Sequence, residues 1–186
     1  MARPETPSVS VAAPNIILIG PMGSGKTTIG RLLAVRLRLP FVDSDARITE
    51  ATGVDIPTIF AIEGESGFRE REYRTLKDIA GEPTGKVLAT GGGAILDPRN
   101  RSLLRTMGEV IYLDVGVDEQ LRRLRHDRHR PLLQVENLPQ RLQDLASQRV
   151  PFYLETAHFR VVGDRLKSDQ VLRRILRYLQ QRTVPS

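Results

Sequence analysis

The segment Gly20–Thr27 reads Gly-Pro-Met-Gly-Ser-Gly-Lys-Thr and has the spacing of a phosphate-binding loop. Its glycines let the backbone wrap so that N–H groups point inward at phosphate oxygens. A short apolar run precedes the segment and a helical pattern comes after it, so the dipole of the helix adds to the attraction. The pattern predicts a nucleoside triphosphate site. Its expected contacts are Gly23, Ser24, Gly25, Lys26, Thr27 and Thr28.

Two side chains of this loop and two carboxylates further along could carry the chemistry. Lys26 should reach the β- and γ-phosphates, and the Thr27 hydroxyl should bind Mg²⁺. Asp43 and Asp45 stand two apart at the end of a strand pattern, so they project to the same side. Asp43 is a candidate for Mg²⁺ through water, because Mg²⁺ prefers a few carboxylates and several waters. Asp45 could orient or deprotonate an attacking hydroxyl.

Both carboxylate assignments have a competing interpretation. Asp45 precedes Ala46-Arg47-Ile48 and is equally suited to cap a helix. Asp114 ends an apolar strand pattern in the manner of a Walker B motif, so it is a second candidate for the metal. The pattern leaves both questions open.

Arginine-rich segments and a glycine triplet offer further binding groups. The stretch from Leu121 to Pro131 contains five arginines and is typical either of a nucleic-acid patch or of a lid over a triphosphate. Arg69 lies in an alternating Arg-Glu-Arg-Glu helical stretch that is most often a solvated face. Gly91-Gly92-Gly93 comes after a strand pattern and is either a turn or a place where a ligand approaches the backbone.

These residues are positioned by alternating strand and helix patterns. Strands are predicted at 15–19, 41–42, 86–90, 110–114 and 159–162. Helices are predicted at 26–39, 46–62, 66–80, 98–107, 118–126, 137–148 and 168–181. Such alternation predicts an α/β fold: a five-stranded parallel sheet with helices on both faces. Ligands of such sheets sit beyond the carboxyl ends of the strands, where the residues above are found.

Length and composition exclude several classes of protein. The 186 residues suffice for a single domain, predicted at 15–186 after a disordered tail at 1–14. The absence of cysteine excludes disulfides, cysteine-ligated metal sites and a thiol nucleophile. No apolar run approaches 18 residues and no secretory signal pattern begins the chain, so we expect a cytoplasmic protein without a membrane partner. The net charge of +6 favours an anionic ligand.

Five segments, taken in order, resemble the shikimate kinase family over about residues 16–179. They are 20–30, Asp43-Ser44-Asp45, Ile59-Phe60 with Gly64-Glu65-Ser66-Gly67-Phe68-Arg69, 89–93 and Arg130-Pro131-Leu132-Leu133. The resemblance implies a P-loop NTPase-type three-layer sandwich with a substrate-binding helical segment at about 44–80 and a mobile lid at about 122–137. It implies transfer of the γ-phosphoryl group of ATP to the 3-hydroxyl of shikimate, in aromatic amino-acid biosynthesis. It also implies a cytosolic monomer.

The resemblance further implies individual roles. Thr27 and, through water, Asp43 would hold Mg²⁺, while Asp45 would contact the hydroxyls of shikimate. Arg69 and Arg149 would hold its carboxylate. The backbone of Gly91, Gly92 and Gly93 would close that site. Arg130 would approach the ATP phosphates from the lid and Arg123 would stack on the adenine. The expected catalytic residues are Lys26, Asp45 and Arg130.

Two other functions share parts of this pattern. A gluconate- or nucleotide-kinase-like enzyme has the same loop and sheet, but it does not need two arginines aimed at a carboxylate. A P-loop nucleic-acid-binding protein would use the positive charge and the arginine run, and it would bind oligonucleotides in a salt-sensitive way. We expect small-molecule partners and no nucleic acid.

Overall fold

The structure is a computed structural model that describes residues 14–82, 85–124 and 137–183. Within these ranges the strands form one parallel sheet in the order β2-β3-β1-β4-β5. The strands are β1 (Asn15–Ile19), β2 (Phe41–Asp43), β3 (Val87–Ala89), β4 (Gly108–Asp114) and β5 (Phe159–Val162). In the central register Ile17 of β1 lies opposite Leu88 on one side and Val110 on the other. The predicted five-stranded parallel sheet is therefore confirmed.

Helices alternate with the strands and cover the sheet. They are α1 (Lys26–Leu37), α2 (Ser44–Thr52), α3 (Ile56–Gly81), α4 (Pro98–Met107), α5 (Val117–Leu124), α6 (Leu138–Thr156) and α7 (Ser168–Thr183), with a 3₁₀ turn at Ala94–Leu96. Across the described ranges, none of them is both long and apolar enough to span a bilayer. Most of the predicted tail and residues 125–136 of the predicted lid lie outside the described residues.

The central strand is buried on both faces. Ile17 and Ile19 pack into one core with residues of α3, α4 and α6. Ile16 and Leu18 pack into the opposite core with residues of α1 and α7. Successive side chains of a strand point to opposite faces, so an uninterrupted apolar run is what a strand between two helical layers requires.

Two glycines interrupt the helices between residues 44 and 81, and the break at Gly53 was not predicted. Gly53, with φ 72°, caps α2 by donating its N–H to the carbonyl of Thr49 at 2.9 Å, so the single helix predicted at 46–62 is wrong. Gly64, with φ 69° and ψ −177°, is non-helical and kinks α3 between the predicted helices 46–62 and 66–80, where the prediction has its break. Both glycines adopt a left-handed backbone that other residues adopt only at a cost.

The helix α6 also extends further than predicted. It continues through Pro151 to Thr156, although a proline removes one helical hydrogen bond. Tyr153 and Thr156 beyond the proline are buried, at 1% and 0% exposure. Their packing outweighs the lost hydrogen bond, and this continuation places Tyr153 close to the strand ends.

The residues of the predicted substrate segment form a small core of their own. Ile48, Ile59 and Phe68 pack together, with the rings of Phe60 and Phe68 stacked at 4.4 Å. The helix α2 begins directly after β2. This small core therefore holds α2 and the first half of α3 beside the carboxyl ends of the strands.

Lys86 is buried at the opposite end of the sheet, and we expect it to stabilise the fold. Its Nζ donates to the carbonyl of Ile79 at 2.8 Å and lies 2.8 Å from Oε2 of Glu82. We expect Lys86→Met to lower the free energy of unfolding by about 1–3 kcal/mol, because a buried carbonyl loses its donor. Chemical denaturation measures this loss. The exposed Lys77→Met is the matched control, with a change within about 0.5 kcal/mol; equal midpoints for the two variants would contradict the prediction.

Candidate active site

The phosphate loop connects β1 to α1. Gly23 and Gly25 have φ values of 76° and 90°, which bend the loop around its own interior. The N–H of Ser24 donates to the carbonyl of Pro21 at 3.2 Å and closes the turn. Lys26 lies at the first position of α1, and its Nζ donates to the carbonyls of Gly20 and Pro21 at 2.8 Å each. The lysine therefore lies at the loop that the motif predicts it to serve.

The structure places Thr27 and Asp43 in contact. The Thr27 hydroxyl donates to Oδ2 of Asp43 at 3.1 Å. The other oxygen of Asp43 accepts from the N–H groups of Asp45 and Ala46, at 3.1 and 3.4 Å. Asp43, and not Asp45, is thus the cap of α2, so the capping interpretation of Asp45 is wrong. A hydroxyl and a carboxylate oxygen side by side fit the oxygen-donor chemistry of Mg²⁺.

Asp114, the second metal candidate, is engaged elsewhere. Tyr112 donates its hydroxyl to Oδ1 of Asp114 at 2.8 Å, and Arg160 donates its Nε to Oδ2 at 2.7 Å. Both oxygens are therefore used in a structural cluster between β4 and β5. The geometry favours Asp43 over Asp114 as the metal-binding carboxylate.

The glycine triplet packs directly against two carboxylates. A β-carbon at Gly91 would lie 2.7 Å from Oδ1 of Asp45 and 2.9 Å from Oε1 of Glu72. The N–H of Gly91 is held by the hydroxyl of Ser44 at 3.1 Å. No larger residue fits at Gly91 without displacing Asp45, so the triplet is a close approach and not a simple surface turn.

Glu72 is a residue of this site that the sequence pattern concealed. It belongs to the charge alternation that is typical of a solvated face, yet its exposure is 1%. Burial raises its pKa, and the neighbouring Arg69 opposes that shift. Arg69 donates its Nη1 to Oε2 of Glu72 at 2.8 Å. Glu72 therefore holds one edge of the Arg69 guanidinium in place.

Arg69 and Arg149 lie beside consecutive glycines of the triplet. A β-carbon at Gly93 would lie 2.6 Å from Nη2 of Arg69, and one at Gly92 would lie 3.7 Å from Nη1 of Arg149. The side chain of Arg69 is 18% exposed, so the solvated-face interpretation is wrong. In each arginine the buried Nε has no hydrogen-bond partner among the described residues. Buried donors of this kind normally have a partner, so the arrangement is suited to an incoming anion.

Arg123 lies on the other side of the phosphate loop. It donates Nε to Glu119 at 2.7 Å, Nη1 to the carbonyl of Gly23 at 3.2 Å and Nη2 to the carbonyl of Gly163 at 2.9 Å. Hydrogen bonds from Arg122 and Arg123 lower the pKa of Glu119 to about 2. The edges of the Arg123 guanidinium are therefore occupied, and its planar faces are its remaining contact surface.

A cavity of about 520 Å³ adjoins Arg123 and the phosphate loop. Gly23, Ser24, Gly25 and Thr28 form one wall. Arg122, Arg123 and the segment 165–168 form another, with Leu166 as an apolar contribution. The cavity is roomy enough for a nucleoside, and it opens next to the predicted phosphate contacts.

One predicted site residue falls outside the described part of the chain, and two residues of the site were not predicted. Arg130 lies outside the described residues, so its predicted approach to the phosphates stays a prediction. Glu72 and Tyr153 were missed by the sequence analysis, although a signal existed. Glu72 lies three residues after Arg69 and Tyr153 four after Arg149, and these spacings place side chains on one helical face.

Comparisons with known proteins agree along most of the chain. A family model described as shikimate kinase matches residues 22–180. The chain is 56% identical over 164 residues to a shikimate kinase of Thioalkalivibrio sulfidiphilus, which covers 88% of this chain and 86% of that protein. It is 51% identical over 163 residues to a shikimate kinase of Dechloromonas aromatica, covering 88% of each. The structure of shikimate kinase from Acinetobacter baumannii in complex with shikimate matches with a TM-score of 0.87 at 45% identity, covering 92% of this chain and 96% of that one.

Proposed function

The chain belongs to the shikimate kinase family and is an ATP-dependent kinase, and from this premise we propose how its residues perform the reaction. The γ-phosphoryl group of ATP is transferred to the 3-hydroxyl of shikimate, giving shikimate 3-phosphate and ADP, a step of the shikimate pathway. The observation that supports this acceptor most directly is the pair of half-buried arginines beside the glycine triplet, each with a buried Nε that has no hydrogen-bond partner among the described residues.

On the acceptor side, the residues match the chemistry of a small hydroxy acid. Arg69 and Arg149 bind the carboxylate, because a planar guanidinium donates two parallel hydrogen bonds to it. The backbone of Gly91, Gly92 and Gly93 forms the floor of the site. Asp45, whose Oδ1 lies close to Gly91, accepts from the hydroxyl that attacks the phosphorus. It either removes that proton or orients the oxygen for attack.

On the nucleotide side, the phosphate loop and α5 divide the contacts. Lys26 neutralises charge on the β- and γ-phosphates, and the backbone of Gly23, Ser24 and Gly25 cradles them with Thr28. Arg130 approaches the same phosphates from the lid. Arg123 presents a planar face to the adenine, since its edges are held by Glu119 and by three backbone carbonyls.

Thr27 and Asp43 are the residues that would hold Mg²⁺. Their oxygens lie 3.1 Å apart, and Asp43 is fixed by the backbone N–H of Asp45. When bound at these residues, Mg²⁺ would offset the negative charge that develops on the phosphate oxygens. Asp43 thereby connects the nucleotide side to the helix that carries Asp45.

The full reaction is tested with the purified chain, MgATP and shikimate. We expect ADP release that depends on shikimate, and a product whose mass exceeds that of shikimate by one phosphoryl group. Gluconate and nucleoside monophosphates serve as alternative acceptors. Faster phosphorylation of either one would favour the corresponding competing kinase class. Salt-sensitive binding of oligonucleotides without turnover would favour a nucleic-acid-binding protein.

The remaining parts of the proposal concern the setting of the enzyme. We propose a monomer in the cytoplasm, where its co-substrate ATP is produced, with small-molecule partners and neither a nucleic acid nor a membrane. Two anion sites lined by arginines account for part of the net charge of +6. Light scattering of the purified chain at working concentration tests the monomer, and a dimer mass would contradict it.

The two arginines together make a testable prediction. We expect Arg69→Ala and Arg149→Ala each to lower kcat/KM for shikimate by a factor that corresponds to about 2–4 kcal/mol of lost transition-state stabilisation. The reason is that the carboxylate then lacks one of its two charged partners in a closed site. The two losses should be non-additive, since both groups share one partner. Lysine at either position should restore only part of the loss, because a point charge does not reproduce the fork.

Steady-state kinetics with both substrates measures this, with Arg74→Ala as the matched control. Arg74 lies on the same helix, and its side chain is 73% exposed. We expect Arg74→Ala to change kcat/KM for shikimate and kcat/KM for ATP by factors that correspond to no more than about 0.5 kcal/mol each. Additive small effects of Arg69→Ala and Arg149→Ala, or an equal loss of ATP affinity, would show that they do not form a carboxylate clamp.

A further inference from the structure

Tyr153 connects the two halves of the acceptor site through its hydroxyl. It lies in α6, four residues after Arg149, so both side chains are on one face of the helix. Its side chain is 1% exposed. The hydroxyl donates to the carbonyl of Gly92 at 2.6 Å, and a β-carbon at Gly92 would lie 3.7 Å from Nη1 of Arg149, whose charge opposes the rise that burial causes in the pKa of Tyr153. The hydroxyl thus lies where the arginine approaches the glycine triplet.

The ring and the hydroxyl of Tyr153 have separate surroundings. The ring stacks on that of Tyr112 at a centroid distance of 4.9 Å and belongs to the core above the sheet. The hydrogen bond of the hydroxyl goes to the glycine triplet, beside Arg149. Burial raises the pKa of Tyr153, so the phenol keeps its proton and remains a donor to Gly92. Packing explains the ring, but it does not explain why an oxygen is placed at its end.

The surroundings of Arg149 include a small cavity and leave one of its nitrogens without a hydrogen-bond partner in the described part of the chain. A cavity of about 30 Å³ lies between α6 and the phosphate loop, and both Arg149 and Met22 line it. The Nε of Arg149 has no hydrogen-bond partner among the described residues. The orientation of its guanidinium therefore depends on the few groups that do hold it. A carboxylate clamp loses affinity when one arm can rotate, because binding must then restrict that rotation at a cost in entropy.

We propose that the Tyr153 hydroxyl is a positioning group that orients Arg149 against the Gly92 carbonyl and so sets the affinity for the acid substrate. This inference rests on the proposed acceptor site. The hydroxyl touches neither substrate nor nucleotide. It acts through Arg149, so its effect should appear in shikimate binding and vanish when Arg149 is absent.

The test is Tyr153→Phe, which removes the oxygen and retains the ring. We expect KM for shikimate to rise about three- to ten-fold, the effect of losing one typical intramolecular hydrogen bond. KM for ATP and kcat should change less than about two-fold, since the nucleotide side keeps all its contacts. Tyr112→Phe is the matched control. It removes the same atom from the stacked partner ring, whose hydroxyl serves Asp114, and should leave KM for shikimate within about two-fold.

A second measurement separates positioning from general loosening of the core. In an Arg149→Ala background, Tyr153→Phe should lower kcat/KM for shikimate less than about two-fold further, because the group it orients is gone. The rise in melting temperature that shikimate induces measures its binding to the folded protein. This rise should become smaller in each variant whose kcat/KM for shikimate decreases. An undiminished effect in that background, parallel changes in both KM values, or an equal effect of Tyr112→Phe would overturn the inference. An active wild type with an unaffected Tyr153→Phe variant would overturn it alone, whereas a wild type that does not phosphorylate shikimate would overturn the proposed function.

Discussion

Lys26→Ala is expected to lower kcat by about 10³-fold or more. The ammonium group lies at the first turn of α1 beside the loop that we propose holds the phosphates. Its charge is needed most when negative charge spreads over the transferred phosphoryl group, so its loss is felt in the transition state. The variant should still fold, because the lysine donates to half-buried groups of its own loop, the carbonyls of Gly20 and Pro21 and the hydroxyl of Ser24.

Coupled ADP release and circular dichroism measure the two parts of this prediction. We expect the melting temperature to fall by no more than about 4 °C, the shift for about 1 kcal/mol in a protein of this size. Lys77→Ala is the control, since Lys77 is an exposed lysine of α3. Its kcat should be that of the wild type. Near wild-type turnover of Lys26→Ala would remove this lysine from the mechanism.

Asp45→Asn is expected to lower kcat by about 10²- to 10⁴-fold, the usual contribution of a positioned acid–base group. The asparagine keeps the size and the hydrogen-bonding shape of the aspartate but removes its charge and its basicity. The start of α2 should be unaffected, because its cap is Asp43 and the N–H of residue 45 continues to donate to it at 3.1 Å. ATP affinity should remain within about two-fold.

The matched control for this variant is Asp55→Asn. Asp55 carries the same charge and caps the start of α3, where its carboxylate accepts from the N–H of Thr58 at 2.9 Å. Asparagine caps helices equally well, so turnover should be unchanged. Measuring kcat for both variants, with ATP affinity determined in parallel, isolates the charge at position 45. Full activity of Asp45→Asn would mean that another group orients the acceptor hydroxyl.

The local pattern of the chain was sufficient for the sheet and for the phosphate loop. The proposed phosphate contacts of the loop come from the backbone of eight consecutive residues, so they depend on one continuous segment of the sequence. The apolar run at Asn15–Ile19 can satisfy its composition only between two helical layers, and the structure buries it there. Features that depend on neighbours in sequence were therefore predictable.

Helix boundaries were less predictable because two glycines act differently in similar surroundings. Gly53 ends α2, while Gly64 only kinks α3, although both have positive φ values near 70°. The two glycines differ in ψ, which is 6° at Gly53 and −177° at Gly64. Phe68 beyond Gly64 stacks on Phe60 before it, so the contact between the two rings keeps the helix together across the kink.

What only the tertiary structure decided is which charges are buried and which partner each of them meets. Arg69 and Glu72 belong to an alternation that is usually solvated, and burial became visible only when α3 was packed beside the glycine triplet. Asp43 could be distinguished from Asp114 because Tyr112 and Arg160 occupy the latter. The candidate charged residues and the phosphate loop could be identified from the sequence alone. The pairing of residues far apart in the chain was not, because the free energy of a buried charge depends on groups that only the fold brings within hydrogen-bond distance.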